Sequence, residues 1–403
     1  MTDQTLTLIH ETMDAQLGRK GYPDAFPALP EVPASRYFDP AFAELERDHL
    51  WSKTWLFAGL ATDLPAAGSY LLFEKLDRSV ILSRGKDGEI RAFHNVCRHR
   101  ASALLLEPKG KAMRFVCPYH AWGYDLEGKL KSVPDQHDFA CLDKSERGLI
   151  PVRCEMWRGM IFINFDDAAQ PLAEFMAPAA PETDGYPLEK LVVKDHFFVP
   201  METNWKTAYH NFLEIYHVAI VHAKSLAPYL DSQSFVVALY EGGHSRFATR
   251  KRKGNSIFNT GIGFPEEMGE LFKECTIARP TFPNTFFALD PIGFTLQCFW
   301  PHPTDPDKSI MEIRLVGWES DTDEDRAYWA AMRPNVESIL AEDLQLFASI
   351  QRGLKSGQMP KVMMGYQERA LYWFEEEIDR RIGVENIPEQ QRVVPALGDY
   401  ITR

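Results

Sequence analysis

The chain has 403 residues, a formal net charge of −13, 45% hydrophobic residues and 25% charged residues. A length of about 150 residues per domain predicts two or three domains with well-filled cores. The acidic balance excludes a nucleic-acid-binding protein, because phosphates need a basic face, and no apolar run approaches the roughly eighteen residues that span a bilayer. We therefore expect neither nucleic acid nor membrane as a partner.

Residues 1–37 predict a short helix and an extended arm. The helix is expected from Leu6 to Leu17, and the Pro-rich stretch after it should lie extended on another surface. Such an arm braces a neighbouring subunit or stays disordered, and composition favours neither. The first residues are polar and carry acids, with neither a signal nor a transit peptide, which predicts a cytoplasmic protein.

Residues 38–165 predict a small all-β domain. Asp39 and Pro40 can begin a helix, and apolar residues follow at helical spacing up to Trp51. After Trp55, short strands alternate with Gly, Asp and Pro turns, which is the pattern of small packed sheets.

A Pro-, Ala- and Asp-rich connection at 166–187 leads to a second domain at 188–403. In this domain, helices near 202–224 and 323–355 enclose several strands. The fold class that follows for the whole chain is α+β.

The first chemical motif is C-x-H…C-x-x-H, formed by Cys97, His99, Cys117 and His120. Two thiolates and two imidazoles suit either a structural zinc or a Rieske 2Fe-2S cluster. Each pair contributes one Cys and one His, whereas common zinc fingers group the two Cys apart from the two His, so the order favours a Rieske cluster. The remaining cysteines lack ligand spacing and are expected to be reduced core residues: Cys141, Cys154, Cys275 and Cys298.

A second cluster of polar residues includes His217 and His222. Five residues turn a helix by about 500°, so this spacing predicts a π-bulge or a helix broken between the two imidazoles. A mononuclear iron site would need a carboxylate as third ligand, and Asp343, rather than Glu342, falls on the apolar face of the later helix. Glu214 precedes His217 by three residues and could also be a plain capping or salt-bridging acid.

Together these segments resemble the Rieske non-heme iron oxygenases, specifically the terminal oxygenase alpha subunits of the aromatic ring-hydroxylating type. The resemblance rests on the first motif with Trp-x-Tyr-Asp after it, on NWK…NF-x-E-x-YH-x4-H, and on ED…QRGL-x-SG, and it extends from about Phe38 onward. It implies a small all-β Rieske domain followed by a catalytic domain of the helix-grip type, an antiparallel sheet with long helices.

The resemblance also implies the cofactors and their ligands. The four residues of the first motif would hold a 2Fe-2S cluster, and His217, His222 and Asp343 would bind one catalytic Fe(II). Glu214 matches the catalytic carboxylate that joins a cluster-ligand His of one subunit to an iron-ligand His of its neighbour.

The sequence departs from the family pattern at a few positions. Ala101 and Ala121 stand where Gly is common, at little cost unless the backbone there needs positive φ. His210 replaces a usual Glu. Glu214 stands where many ring-hydroxylating members have Asp, and with the QRGL segment it looks more like the members that act on carnitine and glycine betaine.

The activity that the resemblance implies is that of a terminal oxygenase. It would use O2 and electrons from a separate NAD(P)H-dependent reductase or ferredoxin, because the chain carries no GxGxxG unit, to hydroxylate an aromatic or related hydrophobic small molecule. The alternative is a monooxygenase or N-demethylase of a quaternary amine such as carnitine or a betaine. More remote are a Rieske electron carrier without oxygenase activity and a zinc-stabilised binding protein.

The family also implies a head-to-tail homotrimer, with or without a β subunit, since the cluster of one subunit serves the iron of the next. We expect the pocket walls to come from the iron helix, the strand region 286–299 and the segment 258–264. The named candidates are Asn211, Phe212, Leu213, Phe286 and Phe299. Their aromatic rings suit an arene or, through cation–π contacts, a quaternary ammonium.

Overall fold

The computed structural model describes residues 3–179, 183–252, 263 and 265–402. The chain forms two compact units. The larger unit comprises Met1–Trp51, Ala173–Pro187 and Val193–Arg403, and the smaller unit comprises Ser52–Leu172 and Leu188–Val192. The predicted pocket segment 258–264 lies outside the described residues except for position 263, so that prediction has no structural counterpart.

The N-terminal region packs on the larger unit of its own chain. Helix α1 spans Asp3–Gly18, slightly longer than predicted. The arm after it ends in strand β1, Val32–Pro33, in which Val32 pairs with Val362. Within the described residues the arm is therefore ordered, and it is attached to its own chain.

Helix α2, Pro40–Leu45, begins as predicted because the Asp39 carboxylate accepts the Ala41 N–H at 2.9 Å. It continues as a π-helix at Glu46–Trp51. These turns belong to the larger unit, so the smaller unit begins at Ser52 and not at the expected residue 38. The reason is packing: the Trp51 ring lies 4.7 Å from Trp205, and Glu46 accepts the Trp205 indole N–H at 3.0 Å.

The smaller unit is built from two sheets, as its short alternating strands predict. One has the order β2-β11-β10-β5-β4-β3-β6 and the other β7-β8-β9, and fully buried Ile81, Phe115 and Tyr124 lie in its core. The strands are β2 Leu56–Leu60, β3 Ser69–Lys75, β4 Arg78–Arg84, β5 Ile90–His94, β6 Lys109–Lys111, β7 Phe115–Val116, β8 Gly123–Tyr124, β9 Leu130–Ser132, β10 Pro151–Trp157 and β11 Met160–Asn164.

The larger unit carries a seven-stranded sheet in the order β12-β18-β17-β16-β15-β14-β13, and β1 pairs separately with β19. Its strands are β12 Leu191–Met201, β13 Val236–Leu239, β14 Ser245–Arg250, β15 Cys275–Ala278, β16 Thr285–Leu289, β17 Gly293–Pro301, β18 Ser309–Trp318 and β19 Lys361–Val362. Its later helices are α3 Leu172–Met176, α4 Trp205–His210, α5 Val218–Val221, α6 Glu270–Glu274, α7 Asp323–Lys355 and α8 Arg369–Ile382. The α+β class predicted from the sequence is confirmed.

Two further predicted features differ from the structure. The segment 166–187 is not a bare connection, since it contains α3 and the buried Tyr186, whose hydroxyl donates to the Asp290 carbonyl at 2.7 Å. The single helix expected near 202–224 is instead α4 and α5. The chain between them is irregular because Glu214 accepts the backbone N–H groups of Tyr216 and His217 and so starts a new turn.

Two candidate metal sites and a cavity

The four residues of the first motif lie on two loops of the same construction. In the loop after β5, the Cys97 N–H donates to the Ser102 carbonyl at 2.8 Å, and in the loop between β7 and β8 the Cys117 N–H donates to Trp122 at 2.9 Å. In both loops the amide four residues after the cysteine returns to the cysteine carbonyl at 3.0 Å. This equivalence is what a ligand order of one Cys and one His per loop predicts.

Both departures from glycine fall on left-handed backbone. Ala101 has φ of 60° and Ala121 has φ of 57°, and both are exposed. The expectation that a Cβ costs little there holds only for ordinary φ, so each loop carries strain at the residue that closes it.

The two cysteines are buried and surrounded by hydrogen-bond donors. Burial raises the pKa of the Cys117 thiol, but hydrogen bonds from the backbone N–H groups of Tyr119 and His120, together with those to Cys97 and Ser102, hold that pKa below its usual value. The Tyr124 hydroxyl lies 3.4 Å from the Cys97 sulfur. Burial, together with this sulfur, raises the pKa of Tyr124, so its proton remains available to the sulfur. Thiolates are the form that binds metal.

The two imidazoles present nitrogen atoms that fit a cluster. His99 stacks on Trp122 with ring centroids 4.8 Å apart, and its ring lies 4.7 Å from that of His120. Burial lowers the pKa of His99, as does the charge of His120, and both favour the neutral ring. Its buried Nδ1 has no hydrogen-bond partner within the described part of the chain. A neutral imidazole with an unpaired buried nitrogen is the ligand that a Rieske iron requires.

His217 and His222 flank the short helix α5 as its first and last caps. The prediction of a bulge or break between them is wrong, because one regular turn joins them, with His222 N–H bonded to Val218 at 3.1 Å. The irregular backbone lies before His217. That turn leaves the two rings 5.2 Å apart, both directed to Asp343 of helix α7.

These three side chains form a set with ligand geometry. The candidate ligand atoms lie within 4.8 Å of one another, and Asp343 Oδ1 is 3.2 Å from His222 Nε2 and 3.8 Å from His217 Nε2. Asp343 is 4% exposed, and among described residues its Oδ1 makes no hydrogen bond of acceptable geometry. A buried carboxylate of this kind is stabilised by a cation, so the residues fit a mononuclear iron.

A second carboxylate holds each imidazole from behind. Glu214 contacts His217 Nδ1, and Glu342 lies 2.7 Å from His222 Nδ1 and accepts the Ser225 hydroxyl at 2.5 Å. Although burial lowers the pKa of His222, Asp343 and Glu342 raise it above its usual value. Acids on Nδ1 leave Nε2 free for a metal.

Sequence reasoning treated Glu342 only as a competitor of Asp343, and it missed Ser225. The adjacent residues Glu342 and Asp343 could have indicated the role of Glu342. Neighbouring helical residues point about 100° apart, so the two carboxylates can contact different atoms of one site. His210, the replacement for Glu, lies 3.2 Å from Glu375 in a buried polar network and not on the cavity.

A cavity of about 260 Å³ adjoins the three ligand atoms. Along α7 its wall extends from Tyr328 to Asp343, a rise of about 22 Å at about 1.5 Å per residue. Of the predicted wall residues, it reaches Asn211, Phe212 and Phe286.

The cavity does not reach Leu213 or Phe299. Phe299 is fully buried and supports Phe212 from behind, with ring centroids 5.0 Å apart. Leu213 is also buried, so both residues belong to the packing beneath the wall. Aromatic residues that do line the cavity include Phe212, Phe247, Phe286, Phe294 and Trp329.

Residues 54–143 match the Rieske [2Fe-2S] domain family, and residues 188–384 match the ring hydroxylating alpha subunit (catalytic domain) family. The chain is 30% identical over 355 residues to the carnitine monooxygenase oxygenase subunit of Escherichia coli (strain K12), covering 83% of this chain and 88% of that protein. It is 26% identical to the 2-aminobenzenesulfonate 2,3-dioxygenase subunit alpha of Alcaligenes sp, with coverages of 80% and 84%.

Solved structures share the fold. A quaternary ammonium Rieske monooxygenase superimposes with a TM-score of 0.77 at 23% identity, covering 90% of this chain and 99% of that chain. Naphthalene 1,2-dioxygenase from Rhodococcus sp. does so with a TM-score of 0.74 at 21% identity and coverages of 95% and 99%. Within the described ranges, no helix has the length and apolar character needed to cross a membrane.

Proposed function

This chain belongs to the Rieske non-heme iron oxygenases as a terminal oxygenase alpha subunit, and from that premise we propose which residues perform the reaction and on what kind of substrate. The enzyme is an oxidoreductase that carries a Rieske 2Fe-2S cluster and a mononuclear iron. Our proposal assigns the cluster to Cys97, His99, Cys117 and His120. The observation that carries the iron assignment is the buried Oδ1 of Asp343, which faces Nε2 of both imidazoles but makes no hydrogen bond within the described residues.

The iron ligands in this proposal are His217, His222 and Asp343. When bound, the cluster supplies single electrons and the iron activates O2 at its open positions. Glu214 and Glu342 hold the Nδ1 side of the two imidazoles, which fixes their orientation. The apolar cavity excludes water and orients the substrate beside the three ligands.

Electrons come from outside the chain, since the family works with a separate reductase or ferredoxin. We propose that Glu214 bridges a cluster-ligand His of one subunit and the iron-ligand His217 of the next within a cyclic homotrimer, which would give the electrons a short path between the two metal sites. Its contact with His217 Nδ1 supplies one half of that bridge. Sedimentation of the active enzyme as a monomer would contradict this assembly.

For the substrate, we propose a neutral, largely hydrophobic small molecule such as an arene. Among the described lining residues there is no Lys or Arg, so the carboxylate of a betaine would find no cationic partner. The lining carboxylates are already engaged: Glu214 by His217, Asp290 by Lys251 at 2.7 Å, and Asp343 in the ligand set. The second candidate, a quaternary amine, is favoured by the aromatic walls and by the carnitine monooxygenase relative.

We also propose a cytoplasmic location, supported by the four cysteines outside the first motif, which are free thiols and suit a reducing compartment.

The test is a single turnover. Anaerobically purified protein is reduced with dithionite and mixed with O2 and either naphthalene or L-carnitine, and products are read by mass spectrometry. We expect about three irons and two sulfides per chain and oxygenated naphthalene. His217→Ala should keep the cluster spectrum and lose product. Turnover of carnitine alone would replace the arene proposal with the second candidate, and product from His217→Ala would refute the iron assignment.

A further inference from the structure

The amide of Gln297 faces the cavity without a partner. The side chain is 4% exposed and lines the cavity, and its Oε1 makes no hydrogen bond within the described residues. Its neighbours across the sheet, Phe286 on β16 and Ile313 on β18, have no hydrogen-bonding side chain. An unsatisfied buried acceptor is costly and rare in native proteins. Its presence in a cavity wall indicates that something else supplies the donor.

A second unpaired group lies on the same cavity. The buried hydroxyl of Tyr328, on helix α7, also has no hydrogen-bond partner in the described part of the chain. Burial and, to a smaller extent, Asp290 raise the pKa of Tyr328, so its proton stays in place and can be donated. The mainly apolar cavity therefore contains an acceptor and a donor that the fold itself does not use.

Gln297 lies on the part of the wall that leads to the ligand set. Its sheet neighbour Phe286 contacts Phe212 with ring centroids 5.5 Å apart. Phe212 belongs to the irregular segment that ends at His217. The amide therefore lies on the same cavity wall as the residues that lead to His217.

We propose that Gln297 is a specificity-determining residue whose amide binds a hydroxyl or amino group of an otherwise apolar substrate. This inference rests on the proposed function and narrows it. A plain hydrocarbon would leave Oε1 unpaired, whereas an O–H or N–H group donates to it. The substrate class is thus hydroxylated or aminated hydrophobic compounds, and Tyr328 offers a separate donor on the same cavity.

The first experiment measures thermal stability without ligand. Gln297→Leu should leave Tm unchanged or raise it, because an apolar side chain of similar size replaces an unsatisfied amide. The matched control is Gln351→Leu. Gln351 is equally buried, but its Oε1 accepts from Thr203 and Asn204 at 3.0 Å, so this control should lower Tm. A similar drop for Gln297→Leu would show a structural amide and overturn the inference.

The second experiment compares two probes by calorimetry on the anaerobic holoenzyme: 1-naphthol and 1-methylnaphthalene, which differ in the hydroxyl. The wild type should bind 1-naphthol about tenfold more tightly, and Gln297→Leu should lose that preference while still binding 1-methylnaphthalene. Equal binding of both probes to the wild type, or an unchanged preference in Gln297→Leu, would overturn the inference and leave the proposed function intact. Binding of L-carnitine with no binding of either arene would overturn both.

Discussion

Ala101 and Ala121 show how a single residue can carry local strain. Both have a left-handed φ at the end of a loop that carries the first motif, and both are exposed. A left-handed conformation costs an L-residue about 1–2 kcal/mol, whereas glycine adopts it freely at an entropic cost of about 0.4–1 kcal/mol in the unfolded chain. The balance favours glycine at both positions.

We expect Ala101→Gly and Ala121→Gly each to stabilise the protein by about 0.5–1 kcal/mol, measured as a rise in the denaturation midpoint. Ala103 is the matched control, because it lies two residues away and is not among the residues with positive φ. Ala103→Gly should destabilise instead. If all three substitutions destabilise, the alanines are not strained.

Glu342 illustrates a residue that acts through another. It lies behind His222 and is itself held by Ser225. Loss of such a contact typically weakens metal binding about 10- to 100-fold.

Glu342→Gln should therefore weaken iron retention by that factor while the cluster spectrum is unchanged, as measured by metal analysis after dialysis against a graded chelator. Glu337→Gln is the control, since Glu337 lies on the same helix and pairs only with exposed Arg333 among the partners described. Equal iron loss in both variants would argue against an orienting role.

At the scale of elements, helix α7 packs on the sheet through two paired glycines. Gly293 on β17 and Gly317 on β18 are register partners, and Trp329 of α7 lies against both. A Cβ at Gly317 would overlap the indole. Close approach, and not backbone freedom, is what Gly317 provides.

Gly317→Ala should consequently destabilise the larger unit by about 1–3 kcal/mol through overpacking, read from chemical unfolding followed by tryptophan fluorescence. The control is Gly353 on helix α7, which is exposed and has room for a Cβ, with no neighbouring atom within 4 Å of its position. Gly353→Ala should therefore stabilise the protein by about 1 kcal/mol. If both substitutions change the stability in the same direction, the close contact between Trp329 and Gly317 would be contradicted.

At the scale of the whole chain, the N-terminal arm is tied to the C-terminal helix by buried charge. Arg36, 1% exposed, donates to Glu375 at 2.8 Å and to Asp379 at 2.6 Å, both on α8. Burial opposes the cation, but these carboxylates raise the pKa of Arg36 above its usual value. Removing one partner of such a network leaves uncompensated buried charge.

Arg36→Met is expected to cost about 3–5 kcal/mol of unfolding free energy. Arg47→Met, on the same N-terminal region, removes a half-exposed guanidinium 3.7 Å from Glu44 and should cost less than about 1 kcal/mol. The measurement is the urea denaturation midpoint of each variant. A larger drop for Arg36→Met than for Arg47→Met would support the buried network, and equal drops would contradict it.

The sequence by itself determined the features that depend on short spacings. The C-x-H and C-x-x-H pairs, the Asp39 cap and the strands of the smaller unit are set by residues within one turn or hairpin of each other, so local chemistry sufficed to predict them. The helix that carries Asp343 is predictable for the same reason, because its apolar residues recur three and four positions apart along the chain.

Tertiary structure alone decided the contacts between distant segments. The His222 ring lies against Glu342, which follows 120 positions later in the chain. Arg36 of the arm contacts Glu375 and Asp379 of α8, and Trp51 of the π-helix contacts Trp205. The unpaired amide of Gln297 also depends on neighbours that no local pattern specifies. Burial and long-range packing, which depend on how the whole chain folds, assign these residues their partners.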